Sequence, residues 1–473
     1  MCLQGFRTRA KGGAPMFCKV LIANRGEIAV RVIRACKELG IATVAVFSEA
    51  DRDAVHVRMA DEACYLGPSP AAHSYLSAPA LITAATGVGA DAIHPGYGFL
   101  AENPFFAEAC AQWGMTFIGP RPDTIRAMGT KSSARALMLK AGVPVVPGTD
   151  EAVGDLDSAL AAAAAIGYPV LVKAVGGGGG RGIRVARDDR DLSKILRHDG
   201  STGRRPAAAG PTLPGLEEKG VYLEKYLEKA RHIEVQILGD QHGHLVHLGE
   251  RECSLQRRRQ KFLEEAPAPS IPEDVRQAIR AAGVQAARAV GYSSAGTCEF
   301  LYDQSTGAFY FIEMNARIQV EHPVTEMVTG VDIVKAQVRV AAGEPLWFSQ
   351  EDVVLHGHAI ECRINAEDPD NRLLPSTGVI GECSLPNGPW TRLDSMVVPG
   401  FEIIPHYDSL IAKLIVWGQD RGEAIGRLRR ALSEISIGGI KTTIPVHRRI
   451  VDDPDFLSAD FHTTWLEEFL GLK

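Results

Sequence analysis

Lys19-Val-Leu-Ile-Ala23 narrows most sharply what this chain can become. A short apolar run of this kind reads as a buried strand. The tight turn Asn24-Arg-Gly-Glu27 follows it. From Ile28 to Leu39 the apolar residues Ile28, Val32, Ala35, Cys36 and Leu39 recur at helical spacing, with Gly40 placed to end the helix. Ile41–Phe47 is then a second strand. Strand, helix and strand joined by short turns make a β-α-β unit, which commits this part of the chain to an open α/β sheet. The first turn lacks G-x-G-x-x-G, so a dinucleotide site has no support there. Most of residues 17–118 reads as structural sheet and helix layers.

The 473 residues have room for two to three domains. A formal net charge of −6 argues against nucleic acid as the main partner, because phosphate backbones attract basic surfaces. No uninterrupted apolar run approaches a membrane span, so no membrane association is expected. The nine cysteines include no C-x-x-C pair, which leaves a zinc ribbon and a dithiol redox motif unsupported and fits a reducing cytoplasm. Residues 1–15 carry Arg7, Arg9 and Lys11 but no apolar stretch of signal-peptide type. They are expected to be a disordered extension, with Met16 a second candidate start.

Further along, His94-Pro-Gly-Tyr-Gly-Phe-Leu-Ala-Glu-Asn103 breaks the sheet-helix pattern. Two glycines around Tyr97 suggest backbone passing close to another group, the alternative being a simple turn. A helical pattern spans about Thr124–Ala141, and Val143–Pro147 is linker-like. Residues 148–226 read as a small α/β segment: an alanine-rich helix, the strand Val170–Lys173, a glycine loop and the strand Val221–Glu224. The glycine- and proline-rich stretch Arg197–Gly215 cannot sustain a helix and reads as a mobile loop. The remainder is a larger mixed domain.

Several segments carry chemistry. In Lys173-Ala-Val-Gly-Gly-Gly-Gly-Gly-Arg-Gly182 a lysine ends an apolar strand and a glycine run follows. Successive backbone N–H groups in such a run can converge on phosphate. Lys131 is a second candidate phosphate ligand, although taken alone it reads as a solvated surface lysine. Thr297–Tyr302 and Ala308–Asn315 flank the turn Asp303–Gly307 and form a hairpin. A turn centred near Ser305 or Thr306 sets Glu299 opposite or nearly opposite Glu313. Facing carboxylates repel unless a hard divalent cation lies between them. Beyond the hairpin, Glu313, Asn315, Arg317, Gln319 and Glu321 alternate with apolar residues, so an extended chain lines one face with them. Arginine's planar fork suits a planar anion such as bicarbonate, and a carboxylate beside it can accept a proton. Arg257-Arg-Arg-Gln-Lys261 reads as an anion-binding wall. Arg363, inside Glu361–Asp368, stands equally for a salt bridge or a site residue.

Taken together these segments resemble the biotin carboxylases of the ATP-grasp superfamily. The likeness is carried by Ile22–Ile28, His94–Leu100, Lys173–Gly182, Glu224–Leu227, Arg231-His-Ile-Glu234, Glu313–Thr325 and Glu361–Asp368, and it runs from about Phe17 to the end of the sequence. It implies an α/β fold: an N-terminal open-sheet domain (16–130), an ATP-grasp domain (131–335) with a small lid (148–226), and a C-terminal mixed α+β domain (336–473). It implies that Lys131 and Lys173 hold the nucleotide phosphates under a lid containing Gly179 and Gly180. Glu224, Lys225, Tyr226 and Leu227 would read adenine, with His232 and Arg259 near the nucleotide. Glu299, Glu313 and Asn315 would bind Mg²⁺ or Mn²⁺, the two glutamates also contacting ATP. Lys261, Arg317, Gln319 and Val320 would hold bicarbonate, Glu321 would be the general base, and Arg363 would face bicarbonate and the biotin ureido oxygen.

The implied reaction is ATP- and bicarbonate-dependent carboxylation of biotin through carboxyphosphate. No Met-Lys biotinylation pair occurs, and the sequence stops where the family's carboxylase unit stops. The expected partners are therefore a biotin carboxyl carrier protein, carboxyltransferase subunits and a second copy of the chain, as in multi-subunit acetyl-CoA carboxylase. The sequence departs from the family at Arg259, where histidine is usual, at Thr130 for aspartate, at Ala316 for threonine, and throughout Arg197–Gly215, where the family has a helical lid segment. Two other readings stay open: another ATP-grasp ligase such as a carbamoyl-phosphate synthase half, and a non-catalytic scaffold with an impaired lid.

Overall fold

The computed structural model of the chain describes residues 16–174, 183–197 and 220–472. The expectations for residues 1–15, for Gly179 and Gly180, and for 198–215 lie outside them, as does the side chain of Lys131. Two compact units form: one from the chain up to Val143 with Arg231–Phe300 and everything from Glu313 onward, the other from Pro144–Ala230 and Leu301–Ile312.

In the first unit, β1 (Lys19–Ile22), α1 (Gly26–Glu38), β2 (Ala42–Ser48), β3 (Glu62–Gly67), β4 (Ala92–His94), α2 (Pro104–Gln112) and β5 (Thr116–Phe117) follow one another. The strands form a five-stranded sheet in the order β3-β2-β1-β4-β5, all pairings parallel. The predicted β-α-β unit is therefore present. Val20 and Ile22 pack with Ile28, Val32 and Ile33 of α1 on one face, while Leu21 packs with Val44 and Val46 on the other. Burial on both faces explains the continuous apolar run. α1 begins two residues ahead of the predicted Ile28, at Gly26, whose positive φ of 68° lets the chain turn sharply off β1. The predicted helix over 124–141 is two, α3 (Pro122–Met128) and α4 (Lys131–Lys140). Thr130, with extended φ and ψ of −115° and 127°, breaks it.

The second unit contains α5 (Leu156–Ile166), β6 (Val170–Ala174), β7 (Ile183–Ala186), α6 (Asp189–Arg197) and β8 (Val221–Lys225). Asp155 caps α5 by accepting from the Ser158 N–H at 2.8 Å. Small residues let the helix lie close on the sheet: Ala159 and Ala163 pack on Val170, Val172 and Leu223. The antiparallel strand order is β7-β6-β8.

The chain then builds an eight-stranded sheet that belongs to the first unit except for Ala230 and the hairpin end Leu301–Ile312. Its members are β9 (Ala230–Gly239), β10 (Leu245–Arg257), β11 (Gln260–Ala266), β12 (Ser294–Asp303), β13 (Phe309–Asn315), β14 (His358–Asn365), β15 (Thr391–Ser395) and β16 (Leu410–Gly418), in the order β13-β12-β9-β10-β11-β14-β16-β15. The hairpin predicted between β12 and β13 closes through Asp303 N–H to Ala308 O at 2.8 Å. Helix α7 (His322–Thr329) follows β13 closely. Strand β14 shows how this sheet is used. Ile360, Cys362 and Ile364 enter the C-terminal core with Leu414 and Val416 of β16. The intervening Glu361 and Arg363 therefore point to the opposite face. Among the described residues no helix is long and apolar enough to cross a membrane.

Candidate active site

The charged face of the eight-stranded sheet carries the site. Lys261 on β11 is its hub. Its ammonium donates to Glu321 Oε1 at 2.6 Å and Glu299 Oε1 at 3.1 Å, and it also pairs with Glu234 on β9. Arg363 on β14 donates from Nη2 to Glu321 Oε2 at 2.8 Å and from Nε to Glu264 Oε1 at 2.5 Å. Each oxygen of Glu321 thus faces one cation. Burial raises the cost of ionising Glu321, but Lys261 and then Arg363 outweigh it and hold the carboxyl well below its usual range.

Glu299 collects a second set of donors. Asn315 Nδ2 and Gln319 Nε2 donate to its Oε1 at 2.6 and 2.7 Å, and His232 Nε2 lies 2.8 Å from its Oε2. Burial opposes ionisation here too, yet Lys261 and then His232 hold this carboxyl far below the ordinary value. Arg251 on β10 is wholly buried and ties the floor together through Glu234, Gln319 and Thr297. The ligand-type atoms of His232, Glu234 and Glu299 lie within 4.8 Å of one another. Lys261 reaches two of those three residues, so its ammonium supplies positive charge there.

The donor set suits a hard divalent cation: Glu299 is ionised, Asn315 offers a carboxamide oxygen, and Glu313 stands two residues earlier on the same side of β13. Asn315 Oδ1 accepts from Arg317 at 2.9 Å, so that oxygen already lies on the polar side of the strand.

The predicted uninterrupted alternation from Glu313 to Glu321 is corrected. The strand ends at Asn315, and bends lead into α7. Gln319 and Glu321 still turn inward, buried, because Glu299, Lys261 and Arg363 compensate them. Arg317 turns toward the N-terminal sheet, where its Nε donates to Glu102 Oε2 at 2.9 Å, while Nη2 reaches Asn315. Val320 contributes its backbone oxygen, which accepts from Lys413 on β16 at 2.9 Å.

The predicted wall Arg257–Lys261 is corrected as well. Of its residues only Lys261 faces the cluster. Arg258 and Arg259 form the exposed turn between β10 and β11, at φ of 50° and 67°, and Arg257 donates to Arg372 O at 2.7 Å. A hairpin turn points consecutive side chains outward, which sequence clustering of like charges does not reveal.

In the second unit Lys173 on β6 forms an ion pair with Glu224 on β8. Lys225 donates to Gly167 O and Tyr168 O at 2.9 and 2.8 Å, while Tyr226 and Leu227 are half-buried just past the strand. The backbone of Lys131 starts α4.

Sequence reasoning missed Glu102, Glu234, Arg251, Glu264 and Lys413. Two were legible: Glu234 follows His232 at strand spacing, and Lys413 is a lone charge inside Leu410-Ile-Ala-Lys-Leu-Ile-Val-Trp417. Of the two glycines around Tyr97, Gly96 sits against another group as read, whereas a Cβ on Gly98 would meet nothing within 4 Å. A Cβ on Gly96 would sit 2.8 Å from Asn24 Nδ2, and that nitrogen donates to Pro95 O and Tyr97 O, each at 2.7 Å.

Comparison with known proteins identifies the family. Residues 16–125 match the biotin carboxylase N-terminal domain, 130–348 the carbamoyl-phosphate synthase L chain ATP-binding domain, and 361–468 the biotin carboxylase C-terminal domain. Biotin carboxylase of Haemophilus influenzae is 54% identical over 97% of this chain and 100% of its own length. One subunit of the pyruvate carboxylase of Methanothermobacter thermautotrophicus is 52% identical over 96% of this chain and 90% of its own length. The biotin carboxylase domain dimer of Hydrogenobacter thermophilus 2-oxoglutarate carboxylase, solved with MgADP, ADP and bicarbonate, superposes with a TM-score of 0.86 at 51% identity, covering 96% of this chain and 98% of that one. With its buried lysine-arginine-glutamate centre and three family matches in sequence order, the chain belongs to the biotin carboxylase family, ATP-dependent carboxylases whose reaction uses ATP, Mg²⁺ and biotin.

Proposed function

We propose that this chain carboxylates biotin held on a separate carrier protein, taking the carboxyl group from bicarbonate and the driving force from ATP. One observation carries the reading: Glu321 is buried with one oxygen on Lys261 and the other on Arg363. Both cations suit an entering bicarbonate. As they turn to that anion they release Glu321, whose basicity rises as its compensation is shared. Glu321 then takes the bicarbonate proton, and the anion attacks the γ-phosphorus of ATP to give carboxyphosphate and ADP. Carboxyphosphate breaks to CO₂ and phosphate, the phosphate takes the N1′ proton of biotin, and N1′ attacks CO₂. Arg363 faces the ureido oxygen, where negative charge develops. Lys131, Lys173 and residues 224–227, together with Gly179 and Gly180, serve the nucleotide. Mg²⁺, held by Glu299, Glu313 and Asn315, offsets phosphate charge when bound.

The carboxyl group passes onward to an acyl-CoA, acetyl-CoA first among them, through carboxyltransferase subunits, and the chain works as a homodimer in the cytoplasm. The likeness to part of a pyruvate carboxylase favours a 2-oxo acid as the second acceptor. ADP formation with Mg²⁺, ATP and bicarbonate, followed with and without free biotin, tests the reading. Biotin should raise the rate, and E321Q and K261Q should abolish the rise. Folded, ATP-binding protein with no biotin-stimulated ADP release would reject it.

A further inference from the structure

Lys413 belongs to no part of that mechanism, yet it is completely buried on β16. It is the register partner of Arg363 on β14, so the two cations stand side by side on the charged face. Its ammonium donates to Val320 O at 2.9 Å and lies 3.2 Å from Glu27 Oε2 and 3.9 Å from Asp394 Oδ2. Glu27 in turn accepts from the hydroxyl of the half-buried Tyr97 through its other oxygen. The Asn24-Arg-Gly-Glu27 turn, the Tyr97 loop and the segment after β13 thus converge on one lysine.

A buried cation carries a desolvation cost that a well-packed apolar side chain avoids, so charge pairing alone is weak grounds for a lysine here. Its bond to Val320 is more specific. The peptide group between Val320 and Glu321 is planar, so holding the Val320 oxygen orients the Glu321 N–H and places its Cα. Glu321 is also the residue that precedes α7. We infer that Lys413 is a positioning residue: by fixing the Val320 carbonyl it sets the Gln319–Glu321 segment in the geometry that receives bicarbonate. This rests on the reading of that segment as the bicarbonate site.

The test separates positioning from charge balance. K413M alone leaves Glu27 buried without its cation, so the variant to measure is E27Q/K413M, which removes both charges and keeps an acceptor for Tyr97. It is expected to fold with a melting temperature near that of wild type. Its KM for bicarbonate should rise about tenfold or more, while its KM for ATP moves by less than about twofold. E27Q alone, which retains the bond to Val320, should show a much smaller rise. A folded double variant with a wild-type KM for bicarbonate overturns the inference. So does a double variant that fails to fold, since Lys413 would then serve the core. If wild-type protein shows no bicarbonate-dependent ADP release, the site reading falls first and the inference with it.

Discussion

The five-stranded and the eight-stranded sheets place charge in opposite ways. In the five-stranded parallel sheet, neighbouring residues of one strand enter two different apolar cores: Val20 and Ile22 one, Leu21 the other. In the eight-stranded sheet, Ile360, Cys362 and Ile364 enter a core while Glu361 and Arg363 between them carry charge. Fully burying a branched aliphatic side chain contributes about 1.5–3 kcal/mol. A buried ion pair comes closer to break-even, because desolvation offsets the Coulomb gain. The first sheet therefore concentrates stability, and the charged face of the second concentrates chemistry.

The hardest way to break that division is at Glu321. E321Q should lower kcat/KM by about 10³, within the range that general-base removal usually costs, and change the melting temperature little. Lys261 keeps Glu234 and Glu299 as partners, and Arg363 keeps Glu264. Steady-state kinetics beside thermal unfolding measures both. Large unfolding with kinetics intact would reverse the assignment. The counterpart is I22A in the parallel sheet. It should cost about 2–5 kcal/mol in urea unfolding, for lost transfer energy and a cavity, while KM values of the folded fraction stay unchanged.

Acid sharpens the comparison. Glu265, next to Glu264 on β11, is wholly buried. Burial works against its ionisation, but Arg421 and a bond from His358 hold its carboxyl down, from 4.5 to about 2. A depressed carboxylate stabilises the fold fully above its unfolded value and loses that contribution as pH falls toward its folded value. Wild-type stability should therefore decline between about pH 4.5 and pH 2 by up to about 3 kcal/mol from this group. In E265Q this part of the decline should disappear, as denaturant midpoints across that window would show. Equal slopes in both proteins would remove Glu265 from the account.

The same division explains what the sequence disclosed. Periodicity is a local signal, so β1, α1, β2 and the hairpin at Asp303 were legible from residue types alone. The residues proposed for metal binding and base catalysis could be singled out because Glu299, Asn315, Gln319 and Glu321 are polar groups set in apolar surroundings. Arg317 was placed on the right segment, but its link to Glu102 joins residues more than two hundred positions apart, which no spacing encodes. Arg259 stands in an exposed turn at positive φ, a backbone feature that its place in a basic run does not disclose. Glu264 and Glu265 are adjacent in the sequence. Strand alternation sends Glu264 to Arg363 and Glu265 to Arg421 and His358, a separation that only the β11–β14 register makes visible.

The smallest expected effect is at the surface, where the same chemistry recurs without burial. Arg429 Nε lies 2.7 Å from Asp452 Oδ1, as close as Arg421 Nε lies to Glu265 Oε2. Distance alone ranks the two pairs equal. Their surroundings do not, because the Arg429 and Asp452 side chains are 49% and 62% exposed, against 17% and 0% for Arg421 and Glu265. Water and salt screen the exposed pair, and each long side chain gives up rotamer freedom to form it. R429A should therefore shift stability by less than about 0.5 kcal/mol, and D452A by a similar amount. A double-mutant cycle at low and high ionic strength measures the coupling, which should fall toward zero as salt rises. A salt-insensitive coupling above about 1 kcal/mol would show that separation, rather than burial, governs the ion pairs of this protein.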